Sequence, residues 1–243
     1  MSAIIFGATG ATGKHVLKEV LASSHFTRVG EYGRRVTDSA QLSGGKEKLE
    51  QKVIDFEKLG DAGIKEGKWD VVFITLGTTR AAAGSAAAFE KIDREFVINA
   101  AKAAKSDDPE HKQRIIYLSS GGANASSSFL YMRSKGLTEQ GLAALGFDDT
   151  IVFRPGYLKD AERPTSRPIE GVLNAVTGVF GKLFTGLAIP VSTLATSIRR
   201  AGELGSSGLP PAANATTAGL EGSRFTLIGN DGALGLAKTP EST

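Results

Sequence analysis

Ala3-Ile4-Ile5-Phe6 runs directly into Gly7-Ala8-Thr9-Gly10-Ala11-Thr12-Gly13. A short apolar run followed by glycines three apart predicts a β-strand, a tight turn and the start of a helix. Gly7 permits the turn. Gly10 lets backbone N–H groups approach a pyrophosphate, and Gly13 lets the helix pack closely on the strand. The helix N-terminus then holds the anion through its unpaired N–H groups and its dipole. The spacing is Gly-x-x-Gly-x-x-Gly rather than Gly-x-Gly-x-x-Gly, and an ordinary βα turn is the competing reading. The apolar stripe Val16, Leu17, Val20 and Leu21 that follows favours the dinucleotide reading.

Working outward, strand and helix patterns alternate. Strands are expected at Arg28–Tyr32, Lys52–Phe56, Asp70–Gly77, Arg114–Ser120 and Thr150–Pro155, with a helix over Ala86–Lys105. Runs such as Val71-Val72-Phe73-Ile74 suit strands covered on both faces. The pattern predicts an α/β, Rossmann-like, doubly wound parallel sheet with helices on both faces and ligands at the carboxyl ends of its strands. All 243 residues read as one dinucleotide-binding domain, with residues 157–224 as a small substrate-side lid and loop region. Within that region Ala161–Pro168 is a polar loop, Gly171–Ile189 is mostly apolar, and Glu203–Arg224 reads as a Gly-, Ser-, Ala- and Pro-rich loop. Phe225–Ile228 returns as a late strand.

The chain has no cysteine, which excludes disulfides and cysteine-rich zinc sites, and its net charge of +3 gives little support to nucleic-acid binding. His15, His25 and His111 are scattered without metal-ligand spacing, so no metal site is expected. Structure is expected from residue 3 onward, which leaves no room for a cleavable leader.

The second informative cluster is Tyr131-Met132-Arg133-Ser134-Lys135. Residues i and i+4 share one helical face, so a phenol and an ammonium stand side by side. A positive charge favours the phenolate, which makes Tyr131 a candidate proton donor to a carbonyl, re-protonated near neutral pH. Ser120 stands eleven residues earlier, at the end of the Arg114–Ser120 strand where open α/β sheets place ligands.

These features resemble the short-chain dehydrogenase/reductase superfamily. Leu76-Gly77-Thr78-Thr79-Arg80, Phe129-Leu130-Tyr131, Phe153-Arg154-Pro155-Gly156 and Ser166-Arg167-Pro168 narrow the resemblance, over roughly residues 1 to 200. They are similar to the branch that holds the vertebrate Tat-interacting oxidoreductase and a fungal protein of the mitochondrial outer membrane. The resemblance implies that Thr9, Gly10, Ala11 and Thr12 wrap the pyrophosphate, that Leu76 and Gly77 line the adenosine and ribose side, and that Tyr131 and Lys135 hold the nicotinamide ribose. It also implies that Leu158 and Arg167 close over the nicotinamide and phosphates, and that Ser120, with Ser119 as second candidate, orients a substrate carbonyl. Asp93 stands where many extended relatives carry Asn. Asp55 accepts from the adenine amino group, or is simply a turn residue at a strand end.

Cofactor choice rests on Gly33-Arg34-Arg35. Arginine just past the second strand accommodates the 2′-phosphate of NADP, whereas an acid there binds the ribose of NAD. Glu31 lies inside the expected strand and is discounted; Arg34 and Arg35 follow the strand end. The expectation is an NADPH-dependent oxidoreductase that reduces a small-molecule carbonyl substrate, with Tyr131, Lys135 and Ser120 at the chemistry. The alternative is an NADPH-binding regulatory or scaffold protein with a protein partner, peripheral on a membrane. By resemblance, the expected location is the cytosolic face of the mitochondrial outer membrane, and otherwise the cytoplasm. Val176, Val179, Phe180, Leu183, Phe184 and Leu187 share a helical face that could contact the membrane interface, or cover a substrate pocket.

Overall fold

The computed structural model describes residues 1–161 and 188–240. Its frame is an eight-stranded sheet in the order β3-β2-β1-β4-β5-β6-β10-β9. The strands are β1 Ser2–Phe6, β2 Arg28–Gly33, β3 Leu49–Val53, β4 Val71–Ile74, β5 Arg114–Leu118, β6 Asp149–Arg154, β9 Thr216–Leu220 and β10 Ser223–Gly229. Every adjacent pair is parallel except β10 with β9. The order reverses at β1, which makes the gap between the carboxyl ends of β1 and β4 the topological switch point. A separate pair, β7 Tyr157–Lys159 and β8 Ala188–Pro190, runs parallel beside it.

The central strands are buried throughout, which explains their unbroken apolar sequence: Ile4, Phe6, Val72 and Ile74 face one side while Ala3, Ile5, Val71 and Phe73 face the other. One face is covered by α1 Gly13–Ala22, α6 Val191–Leu204 and α7 Asn230–Lys238, through residues such as Val16, Val20, Leu194, Ile198 and Leu236. The other is covered by α4 Phe96–Ala104 and α5 Leu130–Ala143, through Val97, Ala100, Ala104 and Leu142. The helix expected over Ala86–Lys105 is present as α3 Ala86–Glu90, a π-turn at Lys91–Glu95 and α4 in continuous succession, preceded by the short α2 Arg80–Ala83.

Three local expectations need correction. The third strand lies at Leu49–Val53 rather than Lys52–Phe56. Ile54 and Phe56 are both buried and alternate like strand residues, but they reach the core from the turn after β3; the pairing with β2 ends at Val53. The fourth strand ends at Ile74, three residues early, because Thr75 and Leu76 turn to lie against the Gly7 turn. The stretch Glu203–Arg224 is not one loop. It contains the end of α6, short turns at Ser206–Gly208 and Pro211–Ala213, and the edge strand β9. Strand β9, Thr-Thr-Ala-Gly-Leu, is mostly exposed and carries no apolar alternation; antiparallel pairing with β10 makes it a strand. The late strand expected at Phe225–Ile228 is present, longer, as β10.

Arg167, the polar loop beyond Ala161 and the apolar stretch through Leu187 lie outside the described residues. The two residues that close that apolar stretch, Ala188 and Ile189, are strand rather than helix, and Ile189 is fully buried.

Candidate dinucleotide and carbonyl site

Because seven consecutive strands, β3 to β10, are parallel, their carboxyl ends share one edge. Across that edge stand Asp55 after β3, Arg34 and Arg35 after β2, the glycine turn after β1, Leu76 and Gly77 after β4, Ser120 after β5 and Leu158 after β6. Five strand spacings of ~4.8 Å span roughly 24 Å, which is long enough for an extended dinucleotide.

The glycine turn is built by close approach. Gly7 sits at φ +92°, a region that side chains with a Cβ rarely adopt. A Cβ at Gly13 would fall 2.0 Å from Gly7 O and 2.7 Å from Thr75 Oγ1, so only glycine lets α1 begin there. Gly10 N–H donates to Gly7 O at 3.0 Å and Lys14 N–H donates to Gly10 O at 3.1 Å. The amides of Ala11, Thr12 and Gly13 find no acceptor among the described residues. The first turn of α1 has no acidic residue and no side-chain cap from Thr12. Free N–H groups, the helix dipole and an uncrowded flank at Gly10 suit a pyrophosphate; the residues present fit the cofactor the motif implies.

At the switch point the loop after β4 meets α5. A Cβ at Gly77 would lie 3.5 Å from both Asp93 Oδ1 and Lys135 Nζ. Lys135 is almost fully buried, and its Nζ lies 3.0 Å from the fully buried Asp93 and donates to Tyr117 Oη at 3.1 Å. The π-turn carries Asp93 inward, and α5 grips that turn: Ser134 Oγ donates to Asp93 Oδ2 at 3.4 Å and Thr138 Oγ1 donates to Asp93 O at 3.3 Å. Burial opposes the charge on Lys135, but Tyr117, Asp93 and Tyr131 outweigh it and hold the ammonium above its ordinary value. Burial pushes the Tyr117 phenol up to about 12.

Tyr131, one turn before Lys135, stays 42% exposed, its ring against Phe89 at a centroid distance of 6.0 Å. The two members of the pair therefore divide: the ammonium is fixed inside, while the tyrosine keeps contact with solvent. The paired serines divide as well. Ser119 is buried and its Oγ donates to Glu139 Oε1 at 2.5 Å, while Arg154 holds Glu139 through two hydrogen bonds at 2.9 and 2.5 Å. That cluster locks α5 to the ends of β5 and β6. Ser120 is half-buried at the carboxyl end of β5, and its hydroxyl makes a 3.3 Å contact with Gly121 O.

Arg34 and Arg35 are exposed and make no hydrogen bond or ion pair with the described residues. Glu31 is buried within β2 and its oxygens accept from Thr37 and Gln51. Asp55 is exposed, and its Oδ1 accepts from Glu57 N–H at 2.9 Å as a turn cap. Leu158 is half-buried in β7. Tyr117 and the Ser119–Glu139–Arg154 cluster were not singled out from sequence. A phenol within the otherwise apolar run Ile115–Leu118 was the available signal, since a buried Tyr O–H needs a partner.

The model of an NAD(P)H-binding family matches residues 7–195. The chain belongs to this NAD(P)H-binding, atypical short-chain dehydrogenase/reductase-like family. It is 40% identical over 194 residues to Protein HTATIP2 of Rattus norvegicus, covering 79% of this chain and 77% of the relative. It is 42% identical over 175 residues to Protein FMP52-1, mitochondrial, of Scheffersomyces stipitis, covering 72% and 73%. Among solved structures, an oxidoreductase of the short-chain dehydrogenase/reductase family from Burkholderia thailandensis matches with TM-score 0.59 at 20% identity, over 96% of this chain and 92% of that one. The Bordetella bronchiseptica enzyme WbmH, in complex with NAD+, matches with TM-score 0.60 at 17% identity, over 83% and 72%. At such identities these structures speak to the fold alone. Among the described residues, no helix is long and apolar enough to cross a membrane.

Proposed function

We propose that the protein is an NADPH-dependent oxidoreductase that reduces a carbonyl compound to an alcohol. The observation that carries this reading is the divided pair: Lys135 fixed between Asp93, Tyr117 and Gly77, and Tyr131 one turn away, partly exposed and close enough to act electrostatically on the Lys135 ammonium. When bound, NADPH would supply the hydride for the carbonyl carbon. Ser120 orients the carbonyl oxygen by a hydrogen bond, and Tyr131 gives that oxygen its phenolic proton and recovers one from solvent. Lys135 holds the nicotinamide ribose and favours the transient phenolate. Arg34 and Arg35, free for a phosphate, support NADPH over NADH. Exposed apolar side chains near the same edge, Phe129 and Tyr157, favour a second reading as an NADPH-binding regulator that docks a partner or a membrane. The relatives named mitochondrial support a peripheral location on the mitochondrial outer membrane, facing the cytosol.

Two measurements test this. In a panel of aldehydes and ketones followed by NADPH oxidation, Tyr131→Phe abolishes turnover and leaves NADPH affinity within about twofold, because the ring survives and the proton does not. Full turnover by Tyr131→Phe removes Tyr131 from the chemistry; no turnover by wild type across the panel favours the regulator. In fluorescence titrations, wild type prefers NADPH, and an Arg34→Ala, Arg35→Ala double variant loses roughly tenfold or more of that affinity as charge-assisted phosphate contacts go. Equal wild-type affinity for NADH and NADPH overturns the cofactor assignment.

A further inference from the structure

We propose that Glu31 is a positioning residue for cofactor choice: it anchors the Arg34–Arg35 loop through Thr37 and so sets the preference for a 2′-phosphorylated dinucleotide. The proposal rests on the reading of Arg34 and Arg35 as phosphate ligands.

Glu31 is 1% exposed in the middle of the sheet, between Ile5 of β1 and Gln51 of β3. No cation pairs with it among the described residues. Its compensation is instead a set of hydrogen bonds to the loop that follows. Thr37 N–H and Thr37 Oγ1 donate to Oε1 at 2.8 and 2.7 Å. Gln51 Nε2 donates to Oε2 at 2.7 Å and to Thr37 O at 2.7 Å. One threonine is therefore held by its N–H, its hydroxyl and its carbonyl. The near end of the same loop is held separately: Ile54 N–H donates to Gly33 O at 2.9 Å, and Tyr32 Oη donates to Glu50 Oε1 at 2.9 Å.

Between those two clamps lie Arg34 and Arg35, exposed and without a described partner. The hydrogen bonds that hold this loop are those of the two clamps. A charged group taken out of water is expensive, and a carboxylate without a cation is kept only where directed donors satisfy it. An apolar residue would serve the sheet core at that position at less cost. The carboxylate serves the loop: it ties Thr37 back to β2 and closes the short loop that carries Arg34 and Arg35 at the carboxyl end of β2, next to β1. Holding a binding loop in its bound shape raises affinity by lowering the ordering cost, and here that gain falls on the phosphate contact.

The test compares NADPH and NADH dissociation constants for wild type, Glu31→Ala, Thr37→Val, Thr37→Ser and the Arg34→Ala, Arg35→Ala double variant. Glu31→Ala weakens NADPH by roughly five- to tenfold and leaves NADH within about twofold, and Thr37→Val does the same to a smaller degree. Thr37→Ser, which keeps the hydroxyl, matches wild type. Added to the double arginine variant, Glu31→Ala weakens NADPH no further. If Glu31→Ala does not fold, Thr37→Val on the partly exposed loop still decides the matter. Equal loss for both cofactors, or no loss for either, overturns the anchoring role while the arginine assignment stands. Wild type without an NADPH preference overturns the arginine assignment and the anchoring role with it.

Discussion

Lys135 illustrates how much one buried charge depends on residues far away in sequence. Its partners come from the π-turn, Asp93, and from β5, Tyr117. The same cluster makes stability sensitive to alkali. Burial pushes Tyr117 up to about 12. Burial and the hydrogen bond to Glu50 push Tyr32 up to about 12 as well. In the unfolded chain both phenols ionise near ~10, so between those values the folded protein holds protons that the unfolded chain has released. The contribution of both phenols is fully present below about pH 10 and is lost as pH rises through about 12. Lys135, also raised, adds to the loss in the same direction. Urea midpoints measured from pH 8 to 11.5 should fall with pH, and less steeply in Tyr117→Phe than in wild type. An unchanged slope in that variant would show that Tyr117 titrates normally. At this scale the sequence revealed Tyr131 and Lys135, because a one-turn spacing is local. It did not reveal Tyr117 as their neighbour, because that contact joins residues on different elements.

The strand–turn–helix unit at the N-terminus was legible almost completely, its turn at Gly7 and its close packing at Gly13 included, from the spacing of its glycines. Two of them separate fold from function. Alanine at Gly13 would force Cβ against Gly7 O at 2.0 Å, a backbone atom that cannot yield without moving the turn. Gly13→Ala should cost about 1–3 kcal/mol of stability, as overpacking does, and lose cofactor affinity with it. At Gly10 the added Cβ meets only Gly7 O at 3.1 Å, so the fold should nearly absorb it while the pyrophosphate face loses room. Thermal melts paired with NADPH titration distinguish the two: Gly13→Ala falls in both, Gly10→Ala chiefly in affinity. A Gly10→Ala protein with wild-type affinity would mean that the pyrophosphate does not lie against that turn. Elements with less local signal were placed less well. Strand β3 was displaced by three residues because Ile54 and Phe56 mimic strand alternation from a turn, and β9 was missed because an exposed edge strand carries no apolar period.

At the scale of the whole molecule, the parallel strands from β3 to β6 bring residues from Gly7 to Leu158 to one edge. The proposed mitochondrial location is tested by fractionation followed by carbonate extraction. The protein should sediment with mitochondria and be released by carbonate. A pellet resistant to carbonate would mean insertion, and a wholly soluble pool would remove the membrane from its function. The amino-acid sequence by itself determined the doubly wound class, the dinucleotide turn and the Tyr131–Lys135 spacing. Each is written in periodicities and glycines that act over a few residues. Only the tertiary structure decided that Ser119 is buried against Glu139 while Ser120 stays half-buried, that Asp93 and Tyr117 flank Lys135, and that Glu31 accepts hydrogen bonds from Thr37 and Gln51. Those outcomes depend on which side chains the sheet order and helix packing bring within hydrogen-bonding reach, and no local pattern encodes that distance.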